Sequence, residues 1–195
     1  MSDDEALMDR ALTLFAEAAA HPRTATKELV SGAIALGRAR ALFRGCRLGR
    51  RVRAFGDVRV DNRGRIELRD FVFFLRGMIT SEIVCHPGAE IVIGERTGFN
   101  YGVSIEARER ISIGKRCLIA AMVRIGDTLA ADAAAPITIG DDVWIAHGAI
   151  VSPGVTIGAR SVVSAGSVVT SDVPADRLAI GNPARAVPLE ARKAR

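Results

Sequence analysis

From residue 137 onward an aliphatic side chain returns at every sixth position. Ile139, Ile145, Val151, Ile157, Val163 and Val169 keep this step without a slip. A second set stands two residues before each: Ile137, Val143, Ala149, Val155, Ser161 and Ser167. A helix repeats at about 3.6 residues and a strand at about 2, so a step of six belongs to neither alone. It fits a short strand followed by a turn, repeated as a coil. The two-residue offset puts both sets on the same face of a strand, pointing inward. Each key position is followed by Gly140, Ala146, Ser152, Gly158, Ser164 or Thr170, small residues suited to a sharp bend. Three hexads close a triangular coil. Stacked coils then pair strand on strand at about 4.8 Å, giving three parallel sheets around one apolar core.

Upstream the same step continues with interruptions. Ile113, Ile119 and Ile125 are in step, and then 14 residues separate Ile125 from Ile139. Ile93, Phe99 and Ile105 are in step, with a gap of 8 to Ile113, and Ile83 precedes Ile93 by 10. Three hexads separate these excursions, so all of them leave the prism at one corner. Insertions in solenoids map to loops, often on the functional face, which makes this corner the first candidate site. Further back, Val58, Val60, Ile66 and Leu68 alternate like strands in weak register, predicting one or two irregular early coils. Residues 4–19 read as a helix with Leu7, Ala11, Leu14 and Ala18 on one face, and residues 26–43 as a second helix. The closing stretch 172–195 reads as loops with a short tail helix. The expected division is a helical, arginine-rich appendage over residues 1–55, a parallel β-helix over 56–187 and a tail over 188–195.

Composition refines this picture. Of the 195 residues 49% are apolar but only 5% aromatic, so the core is built from Ile, Val, Leu and Ala. The net charge of +5 comes from 24 Arg against 3 Lys with 22 acids. This balance suits an acidic ligand without fixing a partner, and a GC-rich genome is the simpler account of it. Cys46, Cys85 and Cys117 are odd in number and unpaired in spacing, which argues against a disulfide framework and a zinc site. The acidic start "MSDDEALMDR" is not a signal peptide, and no apolar run approaches a membrane span; a cytoplasmic protein is expected. From Arg38 to Arg53 there are seven arginines and no acid. This stretch is either a solvated helix and connector or a peripheral contact with anionic lipid or a lipid-linked sugar. No nucleic-acid motif accompanies the charge.

The segment "PITIGDDVWIAHGAIVSPGVTIGARSVVSAGSVVTSDVPADRLAIGNPARAV", extended upstream by "FNYGVSIEARERISIG", closely resembles the hexapeptide-repeat acyltransferases. The likeness covers about residues 90–187 and is greatest to the sugar O-acetyltransferases of surface-polysaccharide synthesis, a group similar to galactoside and maltose acetyltransferases. It implies an all-β fold, a left-handed parallel β-helix with the helical appendage at its N-terminal side. It also implies a homotrimer, with acetyl-CoA as co-substrate in a groove between neighbouring subunits. The implied activity is acetyl transfer to a sugar hydroxyl, in polysaccharide or glycolipid modification. In such enzymes a histidine takes the hydroxyl proton and a backbone N–H stabilises the oxyanion.

The resemblance also assigns residues. The family's base sits in the excursion before "PITIG", in an Asp-x-Asp-x-His pattern. Here that excursion reads "GDTLAADAAAP": Asp127 matches the start as a substrate contact, Ala131 stands near the histidine position, and no histidine lies in the loop. Of the three histidines, His21 belongs to the appendage, as a surface or capping residue. His86 lies at the excursion corner, two coils away by count. His147 occupies the turn that the resemblance sets beside the thioester. Three outcomes stand: His147 is a relocated base, His86 is, or the protein is a catalytically impaired β-helix that binds a nucleotide or CoA or serves as a scaffold. Trp144 points outward, walling the cofactor groove or packing against another subunit. Asn100 matches an acceptor-binding position, or is a turn amide. Thr170 and Arg185 match cofactor contacts, Arg185 with the planar fork that suits CoA phosphates. Ser164 and Ala165 line the groove as tight-turn residues. A zinc site needs three converging histidines; His86 and His147 fall on different corners, so no metal is expected.

Overall fold

The computed structural model describes residues 25–128 and 134–189. The helix expected over 4–19, the Ala131 position and most of the tail lie outside these residues. The rest is a three-faced solenoid. Face A stacks Arg47–Leu48, Arg65–Leu68, Glu90–Ile93, Arg110–Ile113, Ile137–Ile139 and Thr156–Ile157, all parallel. Face B stacks Arg53–Ala54, Phe73–Phe74, Gly98–Phe99, Leu118–Ile119, Trp144–Ile145 and Val162–Val163. Face C stacks Val58–Asn62, Ser81–Cys85, Ser104–Ala107, Arg124–Gly126, Ile150–Val151 and Val168–Val169.

The register is the one the hexads predict: Ile93, Ile113, Ile139 and Ile157 are successive partners on face A, and Ile105, Ile125, Val151 and Val169 on face C. Both inward sets are buried. The two serines that replace aliphatics in the second set keep their hydroxyls satisfied. Ser161 Oγ donates to the Pro174 carbonyl at 2.8 Å and accepts the Arg177 N–H, and Ser167 Oγ accepts the Gly181 N–H at 3.1 Å. A buried hydroxyl without such partners costs about 1–3 kcal/mol.

The A-to-B corner has its own device. Arg51, Phe71, Arg96, Arg116, Asp142, Arg160 and Asp176 each take positive φ, between 55 and 62°. For a residue with a Cβ this costs about 1–2 kcal/mol. In all but Arg51 the conformation lets the N–H bond along the solenoid axis: Phe71 donates to the Arg50 carbonyl, Arg96 to Asp70, Arg116 to Glu95, Asp142 to Lys115, Arg160 to Asp141 and Asp176 to Ala159. The side chains compensate as well. Arg51 and Arg96 both stack on Phe71, with Cζ 6.0 and 5.7 Å from the ring centre, and Arg160 grips Asp176 bidentately at 2.6 Å. Beside this column the chain packs backbone to backbone. A Cβ placed on Gly140 would lie 2.6 Å from the Ala159 nitrogen, so only glycine fits there.

Two expectations change at the ends. The regular coil starts at Arg47 instead of near position 56, so the expected end of the appendage at residue 55 falls inside the first turn. The closing stretch is not loop. Arg177–Gly181 joins face B in parallel and pairs with Ala184–Pro188 as an antiparallel hairpin, through a cis Asn182–Pro183 bond. The helix read over 26–43 is present as α1, Ala25–Leu42. α1 packs on the Arg53–Ala54 strand and buries Ala35 and Ala39, with Phe43 following at the next step of four. Phe43 continues into a ring stack through Phe74 and Phe99, centroids 5.2 and 4.8 Å apart, that fills the N-terminal end of the prism. No helix among the described residues is long and apolar enough to cross a membrane.

Candidate active site

The expected site residues gather at two corners. The B-to-C corner carries Asn100, His147, Ser164 and Ala165, because Phe99, Ile145 and Val163 occupy one column of face B and the chain turns directly after each. Asn100 Oδ1 accepts the Tyr101 N–H at 2.8 Å, closing its own turn. The His147 side chain is exposed, and its carbonyl accepts the Gly166 N–H from the next turn. Its own N–H has no acceptor among the described residues, so a backbone donor points outward here. Trp144 stands on the outer side of face B at 39% exposure, in a column with Leu118, Val162, Leu178 and Val187. Followed back to its first strand the column begins Arg53, Phe73, Gly98 and carries no charge after Arg53; the outer column of face A begins Arg47, Glu67 and that of face C Arg59, Glu82.

The C-to-A corner carries the excursions, as the spacing predicts, and with them His86, Asp127 and Thr170. Asp127 is fully buried. Its Oδ1 accepts the Arg108 N–H at 2.7 Å, and its Oδ2 accepts those of Glu109 and Arg110 at 2.7 and 2.9 Å. The carboxylate thus ties the mouth of the long excursion to the turn one coil below. Thr170 is exposed on the last turn of this corner, and Arg185 is exposed on the terminal hairpin, which packs against the Val168–Val169 strand.

Sequence reasoning missed Glu106. Its Oε1 lies 2.8 Å from His86 Nε2, with Arg108 Nε at 3.9 Å from the same oxygen. The His86 side chain keeps a quarter of its surface open. A carboxylate at this distance fixes the ring's orientation and favours a proton on the nitrogen facing it, which leaves the other nitrogen free to act as acceptor. The signal was within reach: once Ile83 and Ile105 are set as partners, Val84 falls opposite Glu106, and His86 is only two residues further.

Cys85 and Cys117 are buried and Cys46 half-buried, all free thiols. Burial pushes Cys117 up to about 12 and raises Cys46 and Cys85 as well, so none is an activated nucleophile. No group of three or more His, Cys, Asp or Glu is placed to hold a metal ion among the described residues.

Residues 136–171 match the family described as bacterial transferase hexapeptide, six repeats. The chain carries the bacterial transferase hexapeptide repeat. This hexapeptide-repeat chain is 37% identical to galactoside O-acetyltransferase of Escherichia coli K12 over 110 residues, which is 51% of this chain and 54% of the relative. It spans about half the length of the curated relatives it matches. Among solved structures it resembles a hexapeptide-repeat acetyltransferase from Vibrio cholerae O1 biovar eltor complexed with acetyl coenzyme A. The identity is 28% and the TM-score 0.50, covering 95% of this chain and 88% of that one. It also resembles a mutant of perosamine N-acetyltransferase from Caulobacter crescentus in complex with CoA and GDP-perosamine, at 27% identity and a TM-score of 0.55, over 78% of this chain and 62% of that one.

Proposed function

We propose that the protein transfers the acetyl group of acetyl-CoA to a hydroxyl of a sugar. The observation that carries this reading is the likeness, over 95% of the chain, to an acetyltransferase solved with acetyl coenzyme A. Sugar-modifying relatives support the acceptor class.

In this reading His86, held by Glu106, removes the acceptor's hydroxyl proton through the nitrogen turned away from the carboxylate. The oxygen attacks the thioester carbonyl. The oxyanion so formed is met by an outward backbone donor, the His147 N–H. Collapse forms the ester, and the CoA thiolate leaves with the proton returned by His86. Within one chain the two groups lie a full face apart and three strand spacings apart along the axis, roughly 14 Å. His86 must therefore meet the His147 turn of a neighbouring protomer whose coils are shifted or tilted against its own. The protein then acts as a homotrimer whose protomers bury the apolar outer column of face B. Asn100 holds the acceptor, Trp144, Ser164 and Ala165 wall the pantetheine, and Thr170 and Arg185 meet the CoA phosphates.

The test is thiol release from acetyl-CoA with a panel of sugars and amino sugars. Turnover with neutral sugars supports O-acetylation, and turnover confined to amino sugars replaces it with N-acetylation. The excursion's lack of histidine favours a second reading, a β-helix that binds CoA without turning it over. Calorimetric binding of CoA with no thiol release from any acceptor would establish that one.

A further inference from the structure

The turn that joins the first strand of face B to the first strand of face C holds more positive charge than its surroundings neutralise. Arg38, from α1, donates Nη2 to the Gly56 carbonyl at 3.3 Å and to Asp57 Oδ1 at 2.6 Å. Arg76, from the turn one coil above, donates Nε to the Phe55 carbonyl at 3.3 Å. Arg53 lies with Cζ 5.7 Å from the Phe55 ring centre. Three guanidiniums therefore converge on residues 55–57. Among the described residues Asp57 is the only carboxylate paired with any of them. The Nε atoms of Arg38 and Arg53 are buried and have no acceptor among the described residues.

Directly beside this charge the chain exposes apolar side chains. Met78, two residues after Arg76, is 92% exposed, and Ile79 is 47% exposed. Gly77 lies under the Tyr101 ring so closely that a Cβ there would collide with it. The ring thus pins the turn that presents Met78 to solvent. A large apolar side chain held in water gains nothing from the fold itself. Set against a cluster of cations, it matches a ligand that has phosphate at one end and hydrocarbon at the other.

We propose that this turn, formed by Arg38, Arg53, Arg76, Met78 and Ile79, binds the phosphate headgroup of an anionic lipid at a membrane surface. The arginines take the phosphate, and Met78 and Ile79 enter the acyl boundary. Charge complementarity selects this occupant: an uncharged apolar partner would leave the guanidiniums desolvated and unpaired, and a soluble phosphate would leave Met78 in water. Along face B four strand spacings, roughly 19 Å, separate residues 55–57 from the His147 turn, and three, roughly 14 Å, separate Met78 from it. A sugar carried on a lipid spans that distance, so the site also suggests where an acceptor would come from. The binding itself does not depend on acyl transfer.

Flotation of the full-length protein with vesicles tests the proposal. Vesicles of phosphatidylcholine containing phosphatidylglycerol are expected to carry the protein, and vesicles of phosphatidylcholine alone are not. Added salt should weaken the binding. Arg76→Gln should weaken it roughly fivefold, and Met78→Asp should remove most of it. Both positions are exposed, and circular dichroism checks that the variants fold. A second arm titrates inorganic pyrophosphate by calorimetry. Pyrophosphate binding without vesicle binding overturns the lipid assignment in favour of a soluble phosphate. Absence of both, or vesicle binding untouched by both substitutions, overturns the site. No arm reads acetyl transfer, so either result leaves the proposed activity standing or falling on its own test.

Discussion

His86 and Glu106 make the sharpest residue-scale prediction. If the imidazole is the base, His86→Ala lowers kcat by roughly 10²–10⁴, and Glu106→Gln lowers it by roughly tenfold or more by loosening the ring. His147→Ala keeps its backbone N–H and so most of the activity. Steady-state kinetics on the three variants decide this, and a collapse of turnover in His147→Ala alone would move the base to the other corner. Cys117 gives a second prediction. Its thiol is pushed up to about 12 by burial, from an ordinary value of 9.0. Below pH 9 folded and unfolded chains both hold the proton, and the thiol leaves stability independent of pH. Between pH 9 and 12 the unfolded chain ionises first and stability falls. Melting temperatures across that range should drop, and Cys117→Ala should flatten part of the drop.

At the scale of elements, the hexad step set the strands, their register and the excursion corner, because the inward positions, with exceptions such as Ser161 and Ser167, are apolar side chains with no other place to go. Where that signal stopped, legibility stopped. The first coil is bounded by Arg51 and the next turns by Phe71 and Arg96, residues whose positive φ no propensity announces. Phe71 and Arg96 are tolerated because each N–H finds a carbonyl in the neighbouring turn, Arg50 and Asp70, and Arg51 stacks on the Phe71 ring. The closing hairpin escaped notice because its strand Ala184–Pro188 is almost wholly exposed and shows no alternation. Asp127 was legible as a motif residue, but its bonds to three backbone donors on the turn one coil below were not, since they follow from the stacking of turns and not from sequence proximity. Asp127→Ala is therefore expected to destabilise the protein by about 2–4 kcal/mol and to speed amide exchange at Arg108, Glu109 and Arg110 before other turns, as hydrogen-exchange mass spectrometry would show. Gly140→Ala should cost about 1–3 kcal/mol by forcing two turns apart, measurable by urea denaturation.

For the whole molecule, the assignment of two corners to one reaction requires neighbours. Light scattering should give three times the 20.7 kDa of the chain. Mixed assembly of His86→Ala and Asn100→Ala chains in equal amounts should restore about a quarter of the sites, because each such site draws His86 and Asn100 from different protomers. Recovery of no activity from two inactive parents would place both residues in one chain's site. The ends of the prism set its length. A stack of parallel coils has no intrinsic stopping point: each terminal strand is a template for another. α1, through Phe43, Phe74 and Phe99, closes one end with a bung of rings, and the reversed strand Ala184–Pro188 finishes face B near the other. A chain shortened to begin at Arg47 would lose the first of these stoppers and bare the raw edge of the barrel. With the far end still finished by the hairpin, such a fragment should pair with a second copy through its bared end, doubling the particle length seen by electron microscopy. The helix that looks like an accessory is thus what keeps that edge from recruiting another copy.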